Sequence, residues 1–140
     1  MSLDAVVFKN LKTMQAEFGD GPFDVELQTG DIEPSAGSPL KLPLGATYAA
    51  DKWLGNVAGI GELRELVEEI FQDRKSVVLE RVIYSGSHSG DVLEISYLAQ
   101  LRAELDILRR NDAGIIQRFV SDMDELVAAA EREGNPIVFV

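Results

Sequence analysis

Residues 114–140 read GIIQRFVSDMDELVAAAEREGNPIVFV, and this stretch decides the fold class. Ile116, Phe119, Val120, Met123, Leu126, Val127 and Ala130 fall on one side of a helix, with Asp122, Asp124 and Glu125 on the other. Gly134 is placed to end that helix as its C′ residue, and Asn135-Pro136 enforces the stop. Ile137 to Val140 then reads as a short apolar strand in the interior. A long amphipathic helix that runs straight into a buried strand calls for helices layered on a sheet.

Working back from that stretch, Leu98, Leu101, Leu105 and Leu108 mark a third helix. Ser96 is its expected N-cap, Glu104 and Asp106 lie on its outer side, and Asn111 to Gly114 breaks the chain after it. Ser76 to Tyr84 is rich in β-branched residues (Val77, Val78, Val82, Ile83) and reads as a strand buried on both faces. Ile60, Leu63, Leu66, Val67, Ile70 and Phe71 define a helix whose other face carries Glu62, Glu65, Glu68, Glu69 and Asp73. Near the start, Val7, Leu11, Met14 and Phe18 keep helical spacing up to Gly19, Gly21 and Pro22, although Ala5 to Phe8 also suits a strand. Phe23 to Leu27 alternates apolar and acidic residues, as a strand with one face in the core does. Thr29 to Gly45, with Pro34, Pro39 and Pro43, reads as a long loop. The expectation is an α/β or α+β fold: one layered domain over 1–140, with three to five strands in a small sheet packed by three or four helices. If the two strands of the second half are parallel, a right-handed crossover joins them.

Composition narrows the function. The chain has 140 residues, 46% of them hydrophobic and 26% charged, which is globular rather than disordered. There is no cysteine, so disulfides, thiolate metal sites and cysteine nucleophiles are excluded, and the single histidine excludes sites built from several imidazoles. Twenty-four acids against 13 bases give a net charge of −11, which repels nucleic acid and anionic lipid and suits a basic partner. No apolar run approaches the roughly 20 residues of a membrane span. Met1 to Asn10 lacks the basic and apolar regions of a signal peptide, so a cytoplasmic location is expected.

One segment carries residue types of chemical interest. Ser85-Gly86-Ser87-His88-Ser89-Gly90-Asp91 holds three hydroxyls, the only imidazole and a carboxylate. A hydrolase would use His88 as base, Asp91 as its orienting partner and a serine as nucleophile. Working triads draw on separate chain segments, however, and these residues are neighbours on one turn. A phosphate cradle lacks its Lys or Arg, and a calcium loop lacks enough oxygen ligands beyond Asp91 and Glu94. The plainer reading is a turn whose hydroxyls satisfy its own backbone. Glu62, Glu65 and Glu69 share a helical face at i, i+3 and i+7, either solvated or as a docking surface for a basic partner. No histidine joins them in the Glu-x-x-His pattern of carboxylate metal helices. Trp53 reads better as a core residue than as an exposed anchor.

The second half, residues 76–140, also carries a recognisable order. A β-branched strand runs into the polar loop Ser85 to Asp91; a Leu- and Glu-rich helix follows; then come an acidic amphipathic helix, Gly134-Asn135-Pro136 and Ile137-Val138-Phe139-Val140. This resembles the immunity proteins of bacterial polymorphic toxin systems, the immunity protein 70-like group. Residues 1–55, with the Pro-rich loop, depart from that pattern. The resemblance implies a cytoplasmic, non-enzymatic inhibitor that binds a cognate protein toxin and blocks its active site. The expected partner surface comprises Glu62, Glu65, Glu69, Ser87, His88 and Asp91, with no cofactor and no metal, in a monomer or homodimer. Two alternatives stay open: a small metal-dependent or Ser/His hydrolase using residues 85–91, and a homo-oligomeric structural protein.

Overall fold

The computed structural model covers residues 1–140 and shows an α+β architecture. In chain order the elements are β1 (Ser2–Phe8), α1 (Leu11–Phe18), β2 (Phe23–Val25), β3 (Ile32–Pro34), β4 (Tyr48–Asn56), α2 (Val57–Phe71), β5 (Val92–Leu93), α3 (Leu98–Leu108), α4 (Gly114–Glu133) and β6 (Ile137–Phe139). A π-helical turn at Val78–Val82 precedes β5, and a 3₁₀ turn at Ile95–Tyr97 leads into α3. The main sheet has four strands in the order β4-β1-β6-β5, and β2 with β3 forms a separate hairpin. Every pairing is antiparallel, so no right-handed crossover between parallel strands arises. No helix is long and apolar enough to cross a membrane.

The end of the chain follows its pattern, except that the strand stops at Phe139 and Val140 is exposed rather than interior. The α4 row Ile116, Phe119, Val120, Met123, Leu126, Val127 and Ala130 is buried, and α4 lies across β1 and β4. Gly134 takes the left-handed conformation (φ 67°), and the amides of Gly134 and Asn135 both donate to the Ala130 carbonyl. The chain then enters β6, whose three residues are all buried between β1 and β5. One apolar core joins Leu3, Ala5 and Val7 of β1 and Leu54 of β4 to the inward faces of α2, α3, α4 and β6.

The first half departs from the reading of its sequence. The helix starts at Leu11, not at Val7, because Ser2–Phe8 is β1, which takes in the alternative strand at Ala5 to Phe8. Val6 and Phe8 are buried on one face of that strand, Ala5 and Val7 on the other, so a strand covered on both sides shows no period of two. Phe23–Leu27 does show the period, yet only Phe23–Val25 is a strand, and Val25 and Leu27 are exposed rather than in the core. The segment read as a continuous loop contains β3, where Ile32 is fully buried. Tyr48–Asn56, which has no clear periodicity, is the longest strand; two irregularities in its register with β1 obscure any alternation.

Two buried glutamates hold helix starts in place. Residues 76–84 are not a strand: Val78–Val82 form the π-helical turn, and Glu104 of α3 holds its start. Its Oε1 accepts from Ser76 Oγ (2.5 Å) and the Val78 amide (3.1 Å), and its Oε2 from the Val77 amide (2.8 Å) and Gln100 Nε2 (3.0 Å). These amides are orphan donors of a helical start; the Glu104 carboxyl, on a residue 2% exposed, takes two of them, while Ser76 Oγ accepts from the Leu79 amide (3.1 Å) as a local cap. The turn in turn buries Val78, Val82 and Ile83. Glu104 is therefore not on the outer side of α3, where heptad-like spacing of the leucines had put it. Ser96 does not cap α3 either; it sits inside the 3₁₀ turn, and no side chain caps that helix.

Glu133, the last residue of α4, accepts from the Asn10 amide (3.0 Å), while Asn10 Nδ2 donates to the Glu133 carbonyl (3.0 Å). Asn10 Oδ1 caps α1 by accepting from the Thr13 amide (2.8 Å). Asn135 Nδ2 completes the link by donating to the Phe8 carbonyl (2.8 Å). Burial alone would push the Glu133 carboxyl up, but hydrogen bonds from Thr13, Asn10 and Arg132 outweigh it and hold it below its ordinary value.

Replacing Glu104 with Ala strands these buried donors, and the expected loss is about 3 kcal/mol, read as a midpoint shift in urea denaturation. Glu133 yields a pH test. Its folded-state pKa is lowered, so its contribution is complete above the ordinary glutamate range and is lost as pH falls through the folded value. Wild type should exceed Glu133→Gln in stability by a constant margin from pH 6 to 8, and the margin should shrink below about pH 4.5. Urea titrations at pH 3, 4, 5 and 7 measure it.

Candidate functional site

The polar segment Ser85 to Asp91 leaves the π-helical turn and crosses the end of the sheet. Its position is determined by backbone contacts. Gly90, in a left-handed conformation (φ 97°), donates its amide to the Phe139 carbonyl (2.7 Å), and the Phe139 amide donates to the Asp91 carbonyl (2.9 Å). Arg64 Nη1 of α2 donates to the Tyr84 carbonyl (2.9 Å). Gly86 lies so close to α2 that a Cβ there would stand 2.8 Å from Val57 Cα, so only glycine fits.

His88 is buried, not presented to solvent. Its ring packs between Tyr84, stacked at 4.4 Å between centroids, and Phe139 of β6, tilted at 4.3 Å. Nε2 lies 2.6 Å from the Val82 carbonyl, which can only accept, so Nε2 carries the proton and donates. Nδ1 is buried without a hydrogen-bond partner; Asp91 Oδ2 is 3.3 Å away but poorly aligned with it. The carboxyl of Asp91 instead accepts from the Tyr84 hydroxyl. Ser85 Oγ donates to the Ser87 carbonyl (3.0 Å) and accepts from the Ser87 amide (3.3 Å), closing a local turn.

This arrangement has the residue types of a hydrolytic centre without its geometry. A general base must offer a ring nitrogen to the reacting proton. Here one nitrogen is bonded to a main-chain carbonyl, the other is enclosed, and no serine hydroxyl bonds to the ring. No group of three His, Asp or Glu side chains converges on a point where a metal could sit. His88 joins the loop to the core, so its ring does not belong to a partner surface, whereas Asp91 is exposed and Ser87 half-buried.

The acidic helix is a different case. Ile60, Leu63, Val67 and Phe71 of α2 are buried, and Glu62, Glu65 and Glu69 project from the opposite side, all exposed. None of the three forms an ion pair, while neighbouring Glu68 takes Arg64 at 3.7 Å. The structure does not join these glutamates and the loop into one patch. The loop meets α2 at Val57 and Arg64, well round the helix from Glu62, Glu65 and Glu69.

Trp53, expected in the core, lies at the surface. It is 50% exposed at the edge of the sheet, with the Arg118 guanidinium of α4 5.4 Å from its ring centroid. The signal that could have found it is Lys52-Trp53 on a strand otherwise short of large apolar residues. Comparison of the chain with protein-family models, curated proteins and solved structures gives no match.

The packing role of the loop makes a clear prediction. His88→Ala removes a ring held by Tyr84, Phe139 and the Val82 carbonyl, and the expected cost is about 2 kcal/mol in thermal or chemical denaturation. Ser87→Ala should stay within about 0.5 kcal/mol of wild type.

Proposed function

We propose that this chain is a non-enzymatic binding protein that captures a basic protein partner through the outer face of α2. The observation that carries the reading is the row Glu62, Glu65 and Glu69, exposed and free of any cation of its own chain. Three unpaired carboxylates on one rigid helix, within a chain of net charge −11, create a field that speeds encounter with a positive surface. Ion pairs elsewhere on the surface, such as Arg102–Glu131 and Arg109–Asp124, are already internally satisfied.

Within this class the reading is a toxin-immunity protein, whose partner is a basic toxin domain. The order α3, α4, Gly134 turn and terminal strand supports it, although the strand expected at 76–84 is a helical turn; the acidity supports it too, since a toxin domain that binds nucleic acid carries basic charge. The engagement of His88 in packing makes the hydrolase alternative the weaker one.

The test begins with affinity capture from lysate of the source organism and elution on a rising salt gradient. The protein released is then purified, and its association with wild type and with a Glu62→Lys, Glu65→Lys, Glu69→Lys variant is timed at low ionic strength. The variant should associate at least tenfold more slowly with an unchanged melting curve. Equal rates for the two proteins would remove α2 from the interface.

A further inference from the structure

β4 stands at the end of the sheet order β4-β1-β6-β5, so β1 is its one strand partner. Its outer edge is unpaired, and the register with β1 shows which main-chain groups point there. The Val140 amide donates to the Asp4 carbonyl, so Asp4 and, two residues on, Val6 turn their main chain toward β6. Ala5 and Val7 therefore bond to their β4 partners Lys52 and Ala50. Asp51 and Trp53, opposite Val6 and Asp4, turn their amides and carbonyls away from the sheet. No turn, loop or cap bond of the chain takes up those four groups.

Sheets commonly guard an edge with a lysine, a proline or a bulge. Here Lys52 is tied to Glu125 of α4, and the two register irregularities flank residues 50–53 without interrupting them. Asp51 is exposed, in no ion pair, and on the sheet face opposite to Lys52.

We propose that a basic, extended segment of the partner completes the outer edge of β4, with a lysine or arginine opposite Asp51. Free amides and carbonyls at alternate residues are complementary to a main chain in β conformation, and they supply affinity in strand addition. A second copy of this chain fits poorly. Two-fold pairings centred on the middle of the run, at Asp51 or at Lys52, set that residue against its own copy, and like charges directly opposite repel. Two copies would also each carry a net charge of −11, whereas a basic segment is attracted by it. Three residues suffice for a strand in this fold, as β6 shows. Asn56 ends β4 and Val57 opens α2, so the added strand lies next to the helix of the acidic row. The inference rests on the binding-protein reading and adds the conformation in which the partner's segment is held.

Trp53 is the only tryptophan, so its fluorescence reports binding at this edge without a label. The probe is a blocked heptapeptide, Thr-Val-Thr-Lys-Thr-Val-Thr. Two N-methylated forms keep its side chains: one is methylated at the lysine and both valines, whose amides would face β4, the other at the two central threonines, whose amides would face solvent. The unmodified peptide and the second form should bind alike and shift Trp53 emission, and the first form should bind about tenfold more weakly. Asp51→Pro removes an outward amide without touching the β1 ladder, so it should keep its melting transition and lose the peptide. The Glu62→Lys, Glu65→Lys, Glu69→Lys variant should bind the peptide within about twofold of wild type at 150 mM salt, where charges on α2 are screened from this edge.

Equal affinities for all three peptides would overturn the added strand; if the triple lysine variant also abolished that binding, the acidic face would stand without it. Failure of the unmodified peptide to bind would overturn the strand too, and α2 would still be judged by its timed association with the captured partner. Should Asp51→Pro fail to fold, the two N-methylated peptides decide alone.

Discussion

The three residues of β6 are the constraint on which the remainder of the structure depends. Ile137–Phe139 pairs with β1 on one side and β5 on the other, so the last segment of the chain completes the middle of the sheet. The Phe139 main chain holds Gly90 and Asp91, and its ring packs against His88. A strand of three residues contributes few ladder bonds. Its holding power comes from burial on both faces and from α4, which delivers it through the Gly134 turn.

Two glutamates do comparable work at helix ends. A helix start leaves unpaired amides that must find acceptors, and local Ser, Asp or Asn usually supplies them. Here Ser76 and Asn10 are the local acceptors, and each is held by a glutamate distant in sequence: Glu104 bonds Ser76 and takes two further amides of the turn, and Glu133 accepts from the Asn10 amide. Helix capping is therefore coupled to tertiary packing in both places.

That coupling explains what could be read in the sequence. The periodic helices were legible: Ile60 to Phe71, Leu98 to Leu108 and Ile116 to Ala130 bury the residues their spacing indicates. So were the Gly134 stop and the terminal strand. Residues 76–84 were not, because the acceptor that turns a β-branched run into a helical turn lies 26 to 28 residues away. The first strand was obscured by burial on both faces, and β4 by its irregular register. At the site, the exposed position of Glu62, Glu65 and Glu69 followed from helical spacing alone. His88 could not be placed so, since its burial depends on Phe139 and Tyr84 closing over it.

The molecule thus divides its polar residues into two kinds. Tyr84, Ser85, His88 and Asp91 of the loop are engaged with the core or with one another, whereas Glu62, Glu65 and Glu69 of α2 remain unpaired at the surface. The recognition reading needs the loop to be part of the rigid frame. Native-state hydrogen exchange tests that most directly, by comparing the amides of Gly90 and Phe139 with those of Val6 and Val7 in β1. The account predicts that all four exchange slowly and through one common opening. Exchange of Gly90 orders of magnitude faster than β1 would show the loop to be an independent mobile element, and would contradict it.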